Sequence, residues 1–392
     1  MHSPCLAPGH PGTPLPRARA IVLAIALLVS HAGGATAQGV PLTLAAAERI
    51  ALDRSPQLVA QAALADAARE MSGPAGSLPD PRLIAGLENV PTEGADRWRL
   101  DRDPMTMARI GVMQDFPGGD KRRLRAERAT LDAARNEVAG EVAALAVRRE
   151  VAAAWLSRHY AERQAGIVAA QIAEAKLQGD TATALYRAGR GAQQDVLMAS
   201  QLTVELANRA TEASLAAERA RLALARHLGA EADRPLAAPP DVLALPDAVA
   251  RIVDVDRQPE VRLAQAQESV LGADADLAGA AKRPDWSVEL TYGIRKPEFG
   301  NMLSLMVRVD LPWSPGTRQE REQSAKLKER DAARAQREDL RRAREAEVRQ
   351  MLAEWEAMRV QALRTRDEWV PLAERRVEAA LSAYRGGSGP LA

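Results

Sequence analysis

Two segments in the last third of the chain decide the fold. They are Trp286-Ser287-Val288-Glu289-Leu290-Thr291-Tyr292-Gly293-Ile294 and, after a short polar break, Leu303-Ser304-Leu305-Met306-Val307-Arg308-Val309-Asp310-Leu311. Both alternate with period two, the mark of a strand with two unlike faces. Trp286, Val288, Leu290, Tyr292 and Ile294 share one face, opposite Ser287, Glu289, Thr291, Gly293 and Arg295. Upstream, Ile110, Val112 and Phe116 oppose Gly111, Met113 and Asp115, with a less regular partner segment from Leu83 to Val90. Strands of this kind fit a transmembrane β-barrel with lipid outside and water inside. A half-buried sheet of a soluble protein alternates in the same way. The aromatic residues favour the barrel. Six of the twelve (Trp98, Phe116, Trp286, Tyr292, Phe299, Trp313) fall within 98–116 and 286–313, near strand ends, as in an interfacial girdle.

Four strands cannot close a barrel, and an open edge in lipid leaves backbone groups unpaired. Small barrels need about eight strands, so several chains must each donate two hairpins. Two chains would give a lumen filled by side chains. Three would give twelve strands and room for a water path, with symmetry gathering the helices into a tube.

Outward from the strands, the chain reads as one pattern written twice. Arg54-Ser55-Pro56-Gln57-Leu58 recurs as Arg257-Gln258-Pro259-Glu260-Val261, Pro79-Asp80 as Pro284-Asp285, and Gln114-Asp115-Phe116-Pro117 as Val309-Asp310-Leu311-Pro312. Tyr186-Arg187-Ala188-Gly189 recurs as Tyr384-Arg385-Gly386-Gly387. Each copy predicts helix, strand, strand, long helix, Tyr-x-x-Gly turn and helix. No proline interrupts 120–178, and neither Gly nor Pro interrupts 317–370. The first stretch alone would span roughly 90 Å as a helix. Leu124, Leu131, Val138 and Leu145 recur every seven residues, the spacing of a coiled-coil seam. Pro371 should kink or interrupt the second helix. The dense charge from Arg318 to Arg349 reads as a solvated face with i,i+4 pairs.

The expected layout is an export signal over 1–37, a first repeat over 38–229, a crossover over 230–257 and a second repeat over 258–392. Arg17 and Arg19 precede an apolar run from Ala20 to Val29 and a small-residue end at Ala35-Thr36-Ala37, as in a secretory signal; an N-terminal anchor is the alternative. After Tyr186 the first repeat runs to Gly229, whereas the second reaches only Ala392, so a closing helix of roughly 35 residues is expected to be missing from it.

Composition narrows the chemistry. The chain has 53 Lys+Arg against 52 Asp+Glu, one cysteine and an aromatic share of 3%. That balance argues against a nucleic-acid partner, whose affinity rests on excess positive charge. Cys5 is the sole cysteine and lies in the export segment, which leaves no thiol chemistry and no disulfide. There is no phosphate-binding Gly-x-x-x-x-Gly-Lys loop and no His-Glu-x-x-His. His159 and His227 read as packed or solvated side chains. Met105, Met107 and Met113 read as gap fillers, with soft-metal ligation as the alternative. Neither a catalytic constellation nor a bound metal or other cofactor is expected.

The mature chain resembles the TolC-like outer-membrane efflux channels along essentially its whole length. The resemblance rests on Leu42-Thr43-Leu44 with Ser55-Pro56, Leu78-Pro79-Asp80-Pro81, the corners at Gly119 and Gly316, and the doubled Tyr-x-x-Gly turns. Gly86-Leu87-Glu88-Asn89, Met105-Thr106-Met107 and Gly111-Val112-Met113-Gln114 look most like the branch serving heavy-metal efflux of the cobalt–zinc–cadmium type. The resemblance implies a mainly α protein with transmembrane β. Long coiled-coil helices would form a periplasmic α-barrel, and two β-hairpins would contribute to a shared trimeric β-barrel. It also implies a homotrimer in outer-membrane lipid that docks a periplasmic adaptor and an inner-membrane proton-driven pump. By the same resemblance Asp195 and Tyr384 would close the periplasmic mouth, although the arginine expected five residues after the tyrosine is Gly389 here. Tyr186, Gly189, Tyr384 and Gly387 would form the tips that adaptors grip; the plain reading of each glycine is a helix stop. A periplasmic coiled-coil adaptor, or efflux of organic compounds by the same channel type, are the alternative functions. A secreted enzyme would need a constellation that the sequence does not show.

Overall fold

A computed structural model describes residues 40–244, 249 and 253–387. The expected export signal, part of the crossover, and Gly389 lie outside them. Helix α1 (Leu44–Arg54) starts at Thr43, whose hydroxyl accepts from the Ala46 amide, and α2 (Pro56–Ala75) starts at Ser55, whose hydroxyl accepts from the Leu58 amide. Both are the polar caps that orphan N–H groups require, and Pro56 occupies the first helical position, where no donor is needed. Strands β1 (Arg82–Glu88) and β2 (Met107–Phe116) follow, then α3 (Lys121–Arg187, 67 residues) and α4 (Gln193–Leu228). After the crossover come α5 (Pro259–Ala280), β3 (Asp285–Ile294), β4 (Met302–Asp310), α6 (Gln319–Arg364) and α7 (Val370–Arg385). This mainly helical architecture with two hairpins is the fold class expected from the sequence.

Pro371 acts as expected, by a specific device. The five residues Thr365–Trp369 between α6 and α7 form a π-helical turn. Pro371 has no N–H to return to the Asp367 carbonyl and its ring would press on that group, so the widened turn absorbs the mismatch without ending the helix.

The main apolar core sits midway along α3, where α1 crosses it. Leu42, Val151, Trp155, Leu224 and Leu228 are fully buried there, with Ala47, Ala51 and Val147. The Trp155 indole donates to the Leu42 carbonyl at 3.1 Å, and the buried Arg158 donates to the Ala232 carbonyl and, at 2.6 Å, to Glu162. Leu42 also bridges in parallel to Leu236, so both chain entry and crossover are tied to this point. The crossover then reaches α6, where Trp355 and Arg359 donate to the carbonyls of Val242 and Leu243, each at 3.0 Å. His159 stacks on Trp155, and His227 lies 3.8 Å from Glu150.

Elsewhere the helices pack thinly. The seam Leu124-Leu131-Val138 is half-buried and Leu145 is 42% exposed; the buried stripe of α3 runs instead through Ala143, Val147, Val151 and Trp155. Ion pairs lace the neighbours: Arg128–Asp274 and Arg262–Glu141 join α3 to α5, and Arg337–Glu268 and Arg344–Glu260 join α5 to α6. The charged stretch of α6 carries the expected local pairs. Arg341 and Arg342 hydrogen-bond Glu338 and hold its carboxyl below the usual range.

Candidate functional site

The four strands form one antiparallel sheet in the order β1-β2-β3-β4, so the two hairpins join through β2 and β3. Register places Val112 beside Leu290 and Leu290 beside Leu305; it likewise aligns Ile110, Tyr292 and Leu303. Cross-strand partners share a face, so one face is almost wholly apolar. The other carries Arg109 beside Gly293, Gly111 beside Thr291, and Ser287 beside Arg308.

On β3 the usual polarity is inverted, while β4 is exposed on both faces. Ser287, Glu289 and Thr291 are 7%, 7% and 3% exposed, whereas Leu303, Leu305 and Val307 are 70%, 69% and 60% exposed. Water would drive the opposite arrangement, since each buried apolar Å² contributes about 25 cal/mol. The polar face is internally paired. Glu289 accepts from Arg109, which also pairs with Glu88 at 3.3 Å, and Arg308 stands 3.7 Å from Glu289. Arg82 pairs with Asp115 near the strand ends, beside a cleft of about 400 Å³ lined also by Asp285, Arg308 and Asp310. Aromatic rings mark both ends of the apolar face. Phe116 stacks on Trp286 at 4.3 Å, and Tyr292 stands six residues further along β3, about 20 Å away.

A corner ties sheet to helices. The Lys121 ammonium, at the start of α3, is almost completely buried and donates to the Arg283 carbonyl at 2.8 Å and to Asp285 at 2.7 Å. The same Asp285 oxygen accepts from the Gly118 amide at 2.6 Å. Sequence reasoning missed this joint. The recurrence of Pro79-Asp80 as Pro284-Asp285 is the signal that could have pointed to its aspartate.

At the far end of the helices, the two Tyr-x-x-Gly turns are conformational copies. Gly189 and Gly387 have φ of 70° and 71°. The Gly189 amide donates to the Tyr186 carbonyl and the Ala188 amide to that of Ala184; the Gly387 amide donates to Tyr384 and the Gly386 amide to Ser382. At the first turn the Arg190 amide also reaches the Leu185 carbonyl, which completes a Schellman stop. Only glycine takes this left-handed conformation without a Cβ penalty. Tyr186 is 46% exposed and Tyr384 is half-buried. Asp195, in the first turn of α4, accepts from the Ala192 amide at 3.2 Å. Among the described residues, no hydrogen bond or ion pair joins Asp195 to Tyr384. Met105 lies in the β1–β2 loop, while Met107 and Met113 stand on the polar face.

The sequence matches no family model and no curated relative. Its structure, however, is similar to solved outer-membrane proteins. The outer membrane protein VceC of Vibrio cholerae superposes with a TM-score of 0.71 at 19% identity, covering 88% of this chain and 87% of VceC. The fold is that of the TolC-like outer-membrane channels. The Campylobacter jejuni outer membrane channel CmeC gives 0.66 at 14% identity over 89% of this chain and 78% of CmeC. CusC, studied for its folding and transmembrane channel formation, gives 0.65 at 13% identity over 88% and 82%. At these identities the likeness is one of fold.

Proposed function

We propose that the chain is one protomer of a trimeric, passive export conduit of the outer membrane, the outermost part of a tripartite efflux system. The sheet carries this reading. An apolar face of Leu, Ile and Val turned outward, a paired polar face turned inward, and two unpaired edges on β1 and β4 are satisfied together only where copies of the sheet close in lipid. Three copies supply twelve strands around a water-filled lumen. The reading makes 1–37 an export signal, 38–229 and 258–392 the two repeats, and 230–257 the crossover at the equator. It assigns the tips at Tyr186, Gly189, Tyr384 and Gly387 to a periplasmic adaptor working with a proton-driven inner-membrane pump. Asp195 and Tyr384 would act at the periplasmic mouth; as they do not touch within one protomer, a closed mouth would have to use contacts between protomers. The cargo is assigned to heavy-metal cations, with organic compounds as the second reading. The adaptor reading leaves the two hairpins without a role.

The test is the mass of the particle extracted by detergent from purified outer membranes. A particle three times the mass of the chain is expected. A species released by salt or carbonate as a monomer would overturn the conduit.

A further inference from the structure

All four methionines of the sheet stand on its polar face, at Met107, Met113, Met302 and Met306, and the apolar face has none. A thioether is apolar enough for the lipid side, so hydrophobic sorting does not explain this placement. Filling of core gaps does not explain it either, because Met302 and Met306 are 39% and 47% exposed.

The register groups them into two levels. Met113 and Met306 flank Glu289 on either side of β3, as its direct cross-strand partners. The Met113 sulfur is 3.9 Å from the Arg308 guanidinium, which is itself drawn to Glu289. Four residues along β3, about 13 Å away, Gly293 stands beside Met302. The Met107 sulfur lies directly over that glycine, and a Cβ there would meet it at 2.5 Å. Glycine at 293 therefore keeps a space that the Met107 thioether fills. With Arg295 at its end, the surrounding face holds four arginines (Arg82, Arg109, Arg295, Arg308) against five carboxylates, one of which, Asp285, is paired with Lys121, so its charge is balanced.

Thioethers are soft ligands that select monovalent ions such as Cu(I) over hard divalent ions. Passage through a pore requires several weak sites in series, so that an ion can both enter and leave. We propose that Met107 with Met302, and Met113 with Met306, form two low-affinity thioether stations for soft monovalent cations along the lumen face. This rests on the conduit reading and narrows its cargo. Flexible thioethers can also suit apolar organic compounds, but most apolar side chains of the sheet lie on the opposite face, so such a compound would find little here besides the thioethers.

The test uses the purified full chain in planar bilayers bathed in potassium nitrate, with micromolar silver nitrate as the probe. Silver ion should reduce the potassium current. The M107L/M113L/M302L/M306L variant should conduct potassium as before while its half-blocking silver concentration rises about tenfold. The pairs M107L/M302L and M113L/M306L each remove one station at nearly constant volume, and each should give part of that shift. Gly293→Ala, which displaces the Met107 sulfur, should do the same as the first pair. Equal silver sensitivity in the native and Leu variants overturns the stations while leaving the conduit intact. A matching loss of sensitivity to tetraphenylphosphonium would mean an unspecific apolar surface, and also overturns them. Absence of any potassium current would remove the conduit reading and this inference together.

Discussion

The equatorial core and the sheet use the same apolar residues in opposite ways. Around Trp155 the chain buries Leu42, Leu224 and Leu228 completely, whereas in β4 it turns Leu303, Leu305 and Val307 outward and in β3 it buries Thr291. Both surfaces obey one rule, that apolar groups leave water, provided that the two regions meet different surroundings. An exposed apolar face of this extent marks a contact with lipid or another chain. The difference teaches that the direction of burial, and not hydrophobicity alone, reports the solvent.

The sharpest way to break this comparison is charge on the outward face. Val307→Arg or Leu290→Arg should cost about 2–4 kcal/mol per protomer at mid-bilayer, repeated in every copy, and should abolish trimer recovery from outer membranes. Ser304→Arg, on the opposite face of β4, should leave recovery near normal; equal losses at all three sites would return the sheet to a soluble setting. Next in size is the equator. Trp155→Ala should lower unfolding stability by about 3–5 kcal/mol. Trp155→Phe, which removes the indole donor but leaves the Ala237 amide on the Leu42 carbonyl, should cost about 0.5–1.5 kcal/mol, read as the midpoint of denaturant unfolding in detergent. At the joint between the regions, Lys121→Met leaves Asp285 with the Gly118 amide alone and removes the donor to the Arg283 carbonyl, and a loss of about 1–3 kcal/mol is expected. The smallest effect belongs to the tips. Gly189→Ala should cost about 1–2 kcal/mol of local strain, seen as faster amide exchange around Ala188, with trimer recovery unchanged. Asp195→Ala removes the acceptor for the Ala192 amide and, if the mouth assignment is right, should raise single-channel conductance. Unchanged conductance would leave Asp195 as a helix cap alone.

Much of this was legible in the sequence because it is local. Alternation at Trp286–Ile294 specifies a strand and its two faces whatever lies around it, and Gly189 and Gly387 announce helix stops through backbone freedom. Pro371 predicted a break, but the π turn that absorbs it lies upstream, where no residue announces it. The heptad leucines predicted a seam that the fold covers only halfway, since the helices that face α3 follow the Val147-Val151-Trp155 stripe instead. Nothing in the sequence marked the lysine at the start of α3 as buried, because its partner lies more than 160 residues away.

By itself, then, the amino-acid order determined the elements, their faces and the paired recurrence of their motifs, all set by contacts a few residues long. The tertiary structure alone decided that β2 pairs with β3 across the two hairpins, and that Met107 rests over Gly293. It alone decided that on β3 the polar side chains are the buried ones. Such pairings join residues about 180 positions apart in the chain, where neither periodicity nor local propensity acts, and only the competition among whole packings selects between them.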